Sequence, residues 1–179
     1  QPEVKRPRPK FIHKEIDAFF TKFVDQPLVK GRRRLVIEKL LVKLDLEGDC
    51  PSVVGYGNAN KDEKEGKYSK NSYDYLASIP LWKHSLTVAE ELVSKLAYKV
   101  MIPDALIMAL GHDIGKIPAQ YKATYTKADH PEISVLVLNS FSEYLGLNNH
   151  AELSKIIKSH HYMVQNMPMA TSLKAADQD

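Results

Sequence analysis

The stretch from Pro103 to Lys116 constrains this chain more than any other. Pro103 at a favoured first-turn position and Asp104 complementing the helix dipole predict a helix that runs through the apolar residues Ala105 to Leu110. That helix delivers His112 and Asp113 side by side, with Gly115 as a flexible C-terminal exit and Lys116 as a neighbouring cation. An imidazole beside a carboxylate is metal-site chemistry. Such a pair is common by itself, so its meaning depends on whether distant residues complete a coordination shell.

The rest of the pattern predicts an all-α fold in which those residues could meet. The 179 residues suffice for one domain with a substantial core. Residues 1–10, with three prolines and four basic side chains, read as a tail. Across residues 11–46, one helical run (Ile12, Ile16, Phe19, Phe20, Phe23) and a second after Gln26-Pro27 (Leu35, Ile37, Leu40, Leu41, Leu44) predict an αα-hairpin. Arg32-Arg33-Arg34 lies at the wrong end of the second helix for its dipole, and is expected to be a solvated cluster, with phosphate contact as the alternative. Residues 47–79, with the charged run Lys61 to Glu65, predict a long loop. Its tyrosines, Tyr56, Tyr68, Tyr73 and Tyr75, pack the ends on the domain or line a cleft.

Residues 80–179 carry the helical core. A helix from about His84 to Val100 places Leu86, Ala89, Val93, Leu96 and Val100 on one face. Another starts at Pro131, with Asp129 or His130 as N-cap and Glu132 in its first turn, and runs to Gly146. Asn149 and Glu152 resemble the capping box of a helix ending near His160-His161, and a last helical piece holds Leu173 and Asp177. No repeat and no alternating strand pattern is found.

Composition excludes several classes. A formal charge of +3 does not by itself imply nucleic acid. The lone cysteine, Cys50, rules out an internal disulfide framework and suits a reducing compartment, so the cytoplasm is the expected location. Apolar stretches such as Ile133 to Leu138 are too short to span a bilayer. With no initiating Met and an abrupt end, the chain is expected to be an excerpt of a longer protein. No Gly-x-Ser-x-Gly elbow or Gly-x-x-x-x-Gly-Lys loop is present, Cys50 has no His nearby in sequence, and Ser85 reads as a helix-start residue.

Beyond His112-Asp113, the chain offers His84, His130 and the pair His160-His161 at predicted helix ends, then Asp177. Any one histidine at such a place is more often a cap or a satisfied surface residue, as His13 and His150 are taken to be. The series, with Leu81-Trp82-Lys83-His84-Ser85-Leu86-Thr87-Val88-Ala89, Gly111-His112-Asp113-Ile114-Gly115-Lys116 and Leu173-Lys174-Ala175-Ala176-Asp177, resembles the HD superfamily of metal-dependent phosphohydrolases over about Pro80 to Asp179. The resemblance implies one metal on His84, His112, Asp113 and Asp177. It implies a second on His130, His160 and His161 with Asp113 bridging, as in the two-metal branch that includes the HD-GYP phosphodiesterases. His161 is followed by Tyr162-Met163-Val164 rather than Gly-Tyr-Pro, so cyclic di-GMP specificity is not implied.

Five imidazoles and two carboxylates make a nitrogen-rich shell that suits one or two ions of Fe, Mn, Zn, Ni or Co and disfavours Mg²⁺ or Ca²⁺. Such ions activate a hydroxide and neutralise phosphoryl oxygens, so Asp113 and Lys116 are the residues expected to be catalytic, with Lys116 pairing a phosphate oxygen. The expected substrate is a phosphomonoester or phosphodiester, a nucleotide or nucleic acid. Two rival readings are an HD domain of a larger DNA-processing protein such as a conjugative relaxase, and a non-catalytic HD sensing or interaction module.

Overall fold

The architecture follows from which apolar faces must be covered, and it is all-α. A computed structural model describes residues 6–52, 74–75, 77–119 and 130–159. Among these residues there are helices and one isolated β-bridge, Pro51 to Pro80, and no strand. The helices are α1 (Lys14–Phe19), α2 (Gly31–Glu47), α3 (Leu81–Ser94), α4 (Ile102–Gly111), α5 (His130–Asn139), α6 (Ser142–Leu145) and α7 (His150–Ser159). No helix among the described residues is long and apolar enough to cross a membrane.

At the centre lies α4. Every residue of it except Asp104 is buried, so it has no solvent face to offer and must be surrounded. Packed around it are α2, α3 and α7, with α5 and α6 completing the layer. One continuous cluster of buried side chains links Ile16 and Phe20 in the N-terminal part to Leu138, Leu153 and Ile157 near the other end of the described chain.

The N-terminal part contains two helical runs, α1 and α2. The π-helical turn Phe20–Val24 extends α1, and Gly31, at φ 63°, opens α2 in a conformation that suits glycine. Within α2 the buried set is Val36, Ile37, Leu40, Leu41 and Leu44, with Leu35 only half-buried, and Ile12 is exposed. Residues 6–10 are not a free tail. Arg6 pairs with Glu38 at 3.3 Å, and Arg8 pairs with Asp17 at 3.0 Å while lying over the Phe20 ring.

Three boundaries differ from the sequence pattern for physical reasons. Helix α3 begins at Leu81, because Pro80 ends the extended segment before it, and stops at Ser94, leaving Val100 exposed in a separate 3₁₀ turn, Lys99–Met101. The helix from His130 breaks at Ser140–Phe141, so that α6 is a separate short piece rather than a continuation to Gly146. Asn149 does not act as the side-chain half of a capping box: its amide is engaged by Arg33 and Asp104. Residues 53–73, including Tyr56, Tyr68 and Tyr73, lie outside the described residues, and Tyr75 is exposed.

Of Arg32-Arg33-Arg34, expected to be a solvated cluster, Arg32 is exposed, whereas Arg33 and Arg34 are partly buried and bonded to other elements. Arg33 Nε reaches Asp104 Oδ1 at 2.7 Å and its Nη2 donates to Asn149 Oδ1 at 2.8 Å, while Asn149 Nδ2 donates to Asp104 Oδ2 at 2.9 Å. This closed triangle ties α2 to the starts of α4 and α7. Arg34 donates to the carbonyls of Val24 and Val29, and Arg32 to that of Gly146, so each arginine of the cluster has a partner within the fold. With both Arg33 and Asp104 partly exposed, Arg33→Ala is expected to cost about 1–2 kcal/mol after allowance for solvent screening. Urea unfolding measures this, and a loss near zero would show that the triangle does not hold the helices.

Candidate metal centre

Three elements converge on one carboxylate. His84 sits in the first turn of α3, His112 and Asp113 follow directly on α4, and Lys116 ends the 3₁₀ turn Ile114–Lys116. Lys116 comes three residues after Asp113, and the tight turn folds its ammonium back over the carboxylate. His130 opens α5, which packs against that turn.

Asp113 is buried, and its two oxygens face different partners. Oδ2 lies 3.2 Å from His112 Nε2, 3.5 Å from His84 Nε2 and 3.4 Å from Lys116 Nζ; Oδ1 lies 3.3 Å from His130 Nε2. Neither oxygen receives a well-formed hydrogen bond. Burial pushes the Asp113 pKa up, but the charges of His112 and Lys116 and contacts from His112 and His130 outweigh it and hold the carboxyl well below the usual range.

The ring of His112 decides what belongs between these groups. Its Nδ1 lies 2.6 Å from the Ala109 carbonyl, which can only accept, so Nδ1 carries a proton. In the neutral imidazole, Nε2 then presents a lone pair to a carboxylate oxygen 3.2 Å away. In that form two lone pairs face each other, an arrangement relieved either by a proton on Nε2, whose charge then helps to keep Asp113 ionised, or by a metal ion held between them. The Nδ1 contact to a backbone carbonyl is also the usual partner that fixes a ligating imidazole. Ligand atoms of His84, His112 and Asp113 all lie within 4.8 Å of one another, a spacing one ion can span. The residues present thus fit a divalent transition metal.

A family model described as HD domain matches residues 81–178, more than half of the chain. The chain belongs to the HD-domain family. No curated protein and no solved structure matches it. Of the site residues expected from sequence, the structure brings together His84, His112, Asp113, Lys116 and His130, while His160, His161 and Asp177 lie outside the described residues.

The HD centre also depends on residues that sequence reasoning passed over. Ser134, one helical turn after His130, accepts from the Gly115 N–H at 2.9 Å and donates to the His112 carbonyl at 2.9 Å. It satisfies both strands of the turn that carries the ligands. Its spacing of four from His130 was the available signal, since it puts both on one helix face. Lys116 Nζ donates to the Ser52 carbonyl at 2.9 Å, a partner sixty-four positions away that no local pattern announces. Ser85 is no helix-start residue: it is fully buried within α3, and its hydroxyl has no hydrogen-bond partner among the described residues.

Gly115 has a different role from the flexible exit expected of it, since it does not adopt a positive φ. A Cβ there would lie 2.5 Å from the His130 carbonyl oxygen, 2.7 Å from the Ser134 nitrogen and 2.9 Å from the Ile133 Cβ. Glycine is needed because the ligand turn rests directly on the backbone of α5. Gly115→Ala is expected to destabilise the protein by at least about 2 kcal/mol, since backbone cannot move aside as a side chain can. It is also expected to weaken Mn²⁺ binding by displacing the ligand turn against α5. Thermal unfolding and metal titration check both, and a variant with unchanged Mn²⁺ affinity would separate Gly115 from the site.

Proposed function

We propose that the protein is a metal-dependent phosphohydrolase acting on a phosphomonoester or phosphodiester, with a nucleotide or nucleic acid as the substrate class. The single observation that carries this reading is the buried Asp113 carboxylate, unsatisfied by hydrogen bonds and faced by three imidazole nitrogens and one ammonium. A purely structural ion pair would not leave both oxygens of a buried carboxylate without a well-formed hydrogen bond.

In this reading His84, His112 and Asp113 would hold one ion. The family resemblance assigns Asp177 to the same ion and His130, His160 and His161 to a second one shared with Asp113. A divalent ion so held lowers the pKa of a water ligand toward neutrality and neutralises phosphoryl oxygens. Ala109, through its carbonyl, keeps the His112 lone pair on the ligand side. Ser134 fixes the turn between His112 and Gly115 so that the carboxylate does not swing. Lys116, a compact buried cation, keeps Asp113 ionised and adds positive charge beside the phosphoryl group of the substrate.

Purified protein is expected to hold at least one transition metal per chain. With Mn²⁺ or Fe²⁺ it should release p-nitrophenol from p-nitrophenyl phosphate or its bis ester, and chelation should abolish turnover. Asp113→Ala should lose bound metal and at least about a hundredfold in turnover, because even outer-shell changes at such sites cost ten- to a hundredfold. Metal content below one per chain, or turnover unchanged in Asp113→Ala, would overturn the reading.

A further inference from the structure

His13, at the N-cap position of α1 and far from the centre in sequence, has a carboxylate against each ring nitrogen. Its Nδ1 lies 2.7 Å from Asp45 Oδ1, near the end of α2, and its Nε2 lies 3.1 Å from Asp49 Oδ1, in the turn that follows. Asp45 is itself buried and also accepts the N–H groups of Ile12 at 2.8 Å and His13 at 3.0 Å. The His13 ring packs on the indole of Trp82 with centroids 4.5 Å apart, and Trp82 Nε1 donates to the same Asp49 oxygen at 2.9 Å. Among the described residues, Asp45 and Asp49 are the charged groups that face the ring, and α3 presents the uncharged Trp82.

What the ring holds is a strap. Residues 48–52 leave α2 and run past the start of α3: the Gly48 carbonyl accepts from Trp82 N at 3.1 Å, and Cys50 O accepts from Leu81 N at 2.8 Å. Ser52 N donates to Ile79 O at 3.0 Å, and Ser52 O accepts from Lys116 Nζ. The strap therefore touches both the helix that carries His84 and the lysine of the centre.

We propose that His13 is a positioning residue for the metal centre, whose protonated ring staples the strap 48–52 to α3 and releases it as pH rises. A neutral imidazole has one N–H and cannot donate to both carboxylates. Asp45, the nearer and buried partner, keeps it, and a lone pair then faces Asp49, which is mostly exposed and turns to water, taking with it the acceptor of Trp82 Nε1. The hydrogen bond to Asp45, opposed by burial and aided by Asp49, raises the His13 pKa above its ordinary value. Stabilisation by the staple is thus fully present below pH 6.5 and is lost as pH rises through the raised value.

Trp82 is the only tryptophan and Cys50 the only cysteine, so each side of the strap carries its own reporter. An imidazolium in contact quenches indole emission. In metal-free protein, emission is expected to rise through a midpoint above pH 6.5, to lose that transition in His13→Gln, and to shift to lower pH in the milder, exposed Asp49→Asn. At one near-neutral pH, Cys50 in His13→Gln should react with a thiol reagent about tenfold faster than in the wild type, the factor of one charge-assisted hydrogen bond. With Mn²⁺ and bis-p-nitrophenyl phosphate, the ratio of wild-type to His13→Gln turnover should fall with the same midpoint. A titration unmoved in both variants, or a thiol rate unchanged, overturns the staple, and a turnover ratio flat with pH reduces His13 to a structural residue. The last arm rests on the phosphohydrolase reading, whereas the first two need neither metal nor substrate and so fail or succeed apart from it.

Discussion

A buried, ionised carboxylate is the constraint from which the rest of this structure follows. Removing Asp113 from water is costly, and the cost is met only when opposite charge and lone-pair acceptors for a cation are brought within a few ångströms. Asp113 draws on three helices to do this: His84 from α3, His112 from the end of α4 and His130 from the start of α5, with Lys116 folded back by a 3₁₀ turn. Each comes from a helix terminus, where the chain changes direction and a side chain can leave its own helix to meet others. The apolar character of α4 serves the same end, since a helix buried on every side carries its C-terminal pair into the interior.

The close approach of α5 to the ligand turn is the second requirement. Ser134 bonds both Gly115 N and the His112 carbonyl, and the absence of a side chain at Gly115 lets the His130 carbonyl come within van der Waals reach. Position 115 therefore couples the two halves of the centre, the one around Asp113 Oδ2 and the one around Oδ1. A looser contact there would separate His130 from the carboxylate.

His84, His112, Asp113 and His130, which the structure brings together, were legible because each sits in a short segment whose chemistry is local. His112-Asp113 followed an apolar run, Pro131 announced the helix of His130, and Pro80 that of His84. Tertiary partners were hidden for the opposite reason. The carbonyl of Ser52 has no side-chain signature, Arg33 looked like surface charge until Asp104 and Asn149 came to meet it, and His13 found Asp45 and Asp49 through a fold that local pattern does not specify. Helix ends went astray where apolar residues at helical spacing turned out to serve a separate turn, as at Val100, or where an unmarked break interrupted the run, as at Ser140. Periodicity records what a helix could bury. It does not record where competing contacts stop it.

The matched HD span begins at residue 81, yet the centre is not closed by that span alone. Lys116 takes a carbonyl from residue 52, Leu81 and Trp82 take theirs from residues 50 and 48, and α4 is covered on one side by α2. An ammonium buried beside Asp113 is an effective electrostatic partner only while its remaining protons are satisfied, and Ser52 supplies one acceptor from outside the span. Ser52 is therefore part of the electrostatic surroundings of Asp113 through Lys116, although it lies outside the matched span.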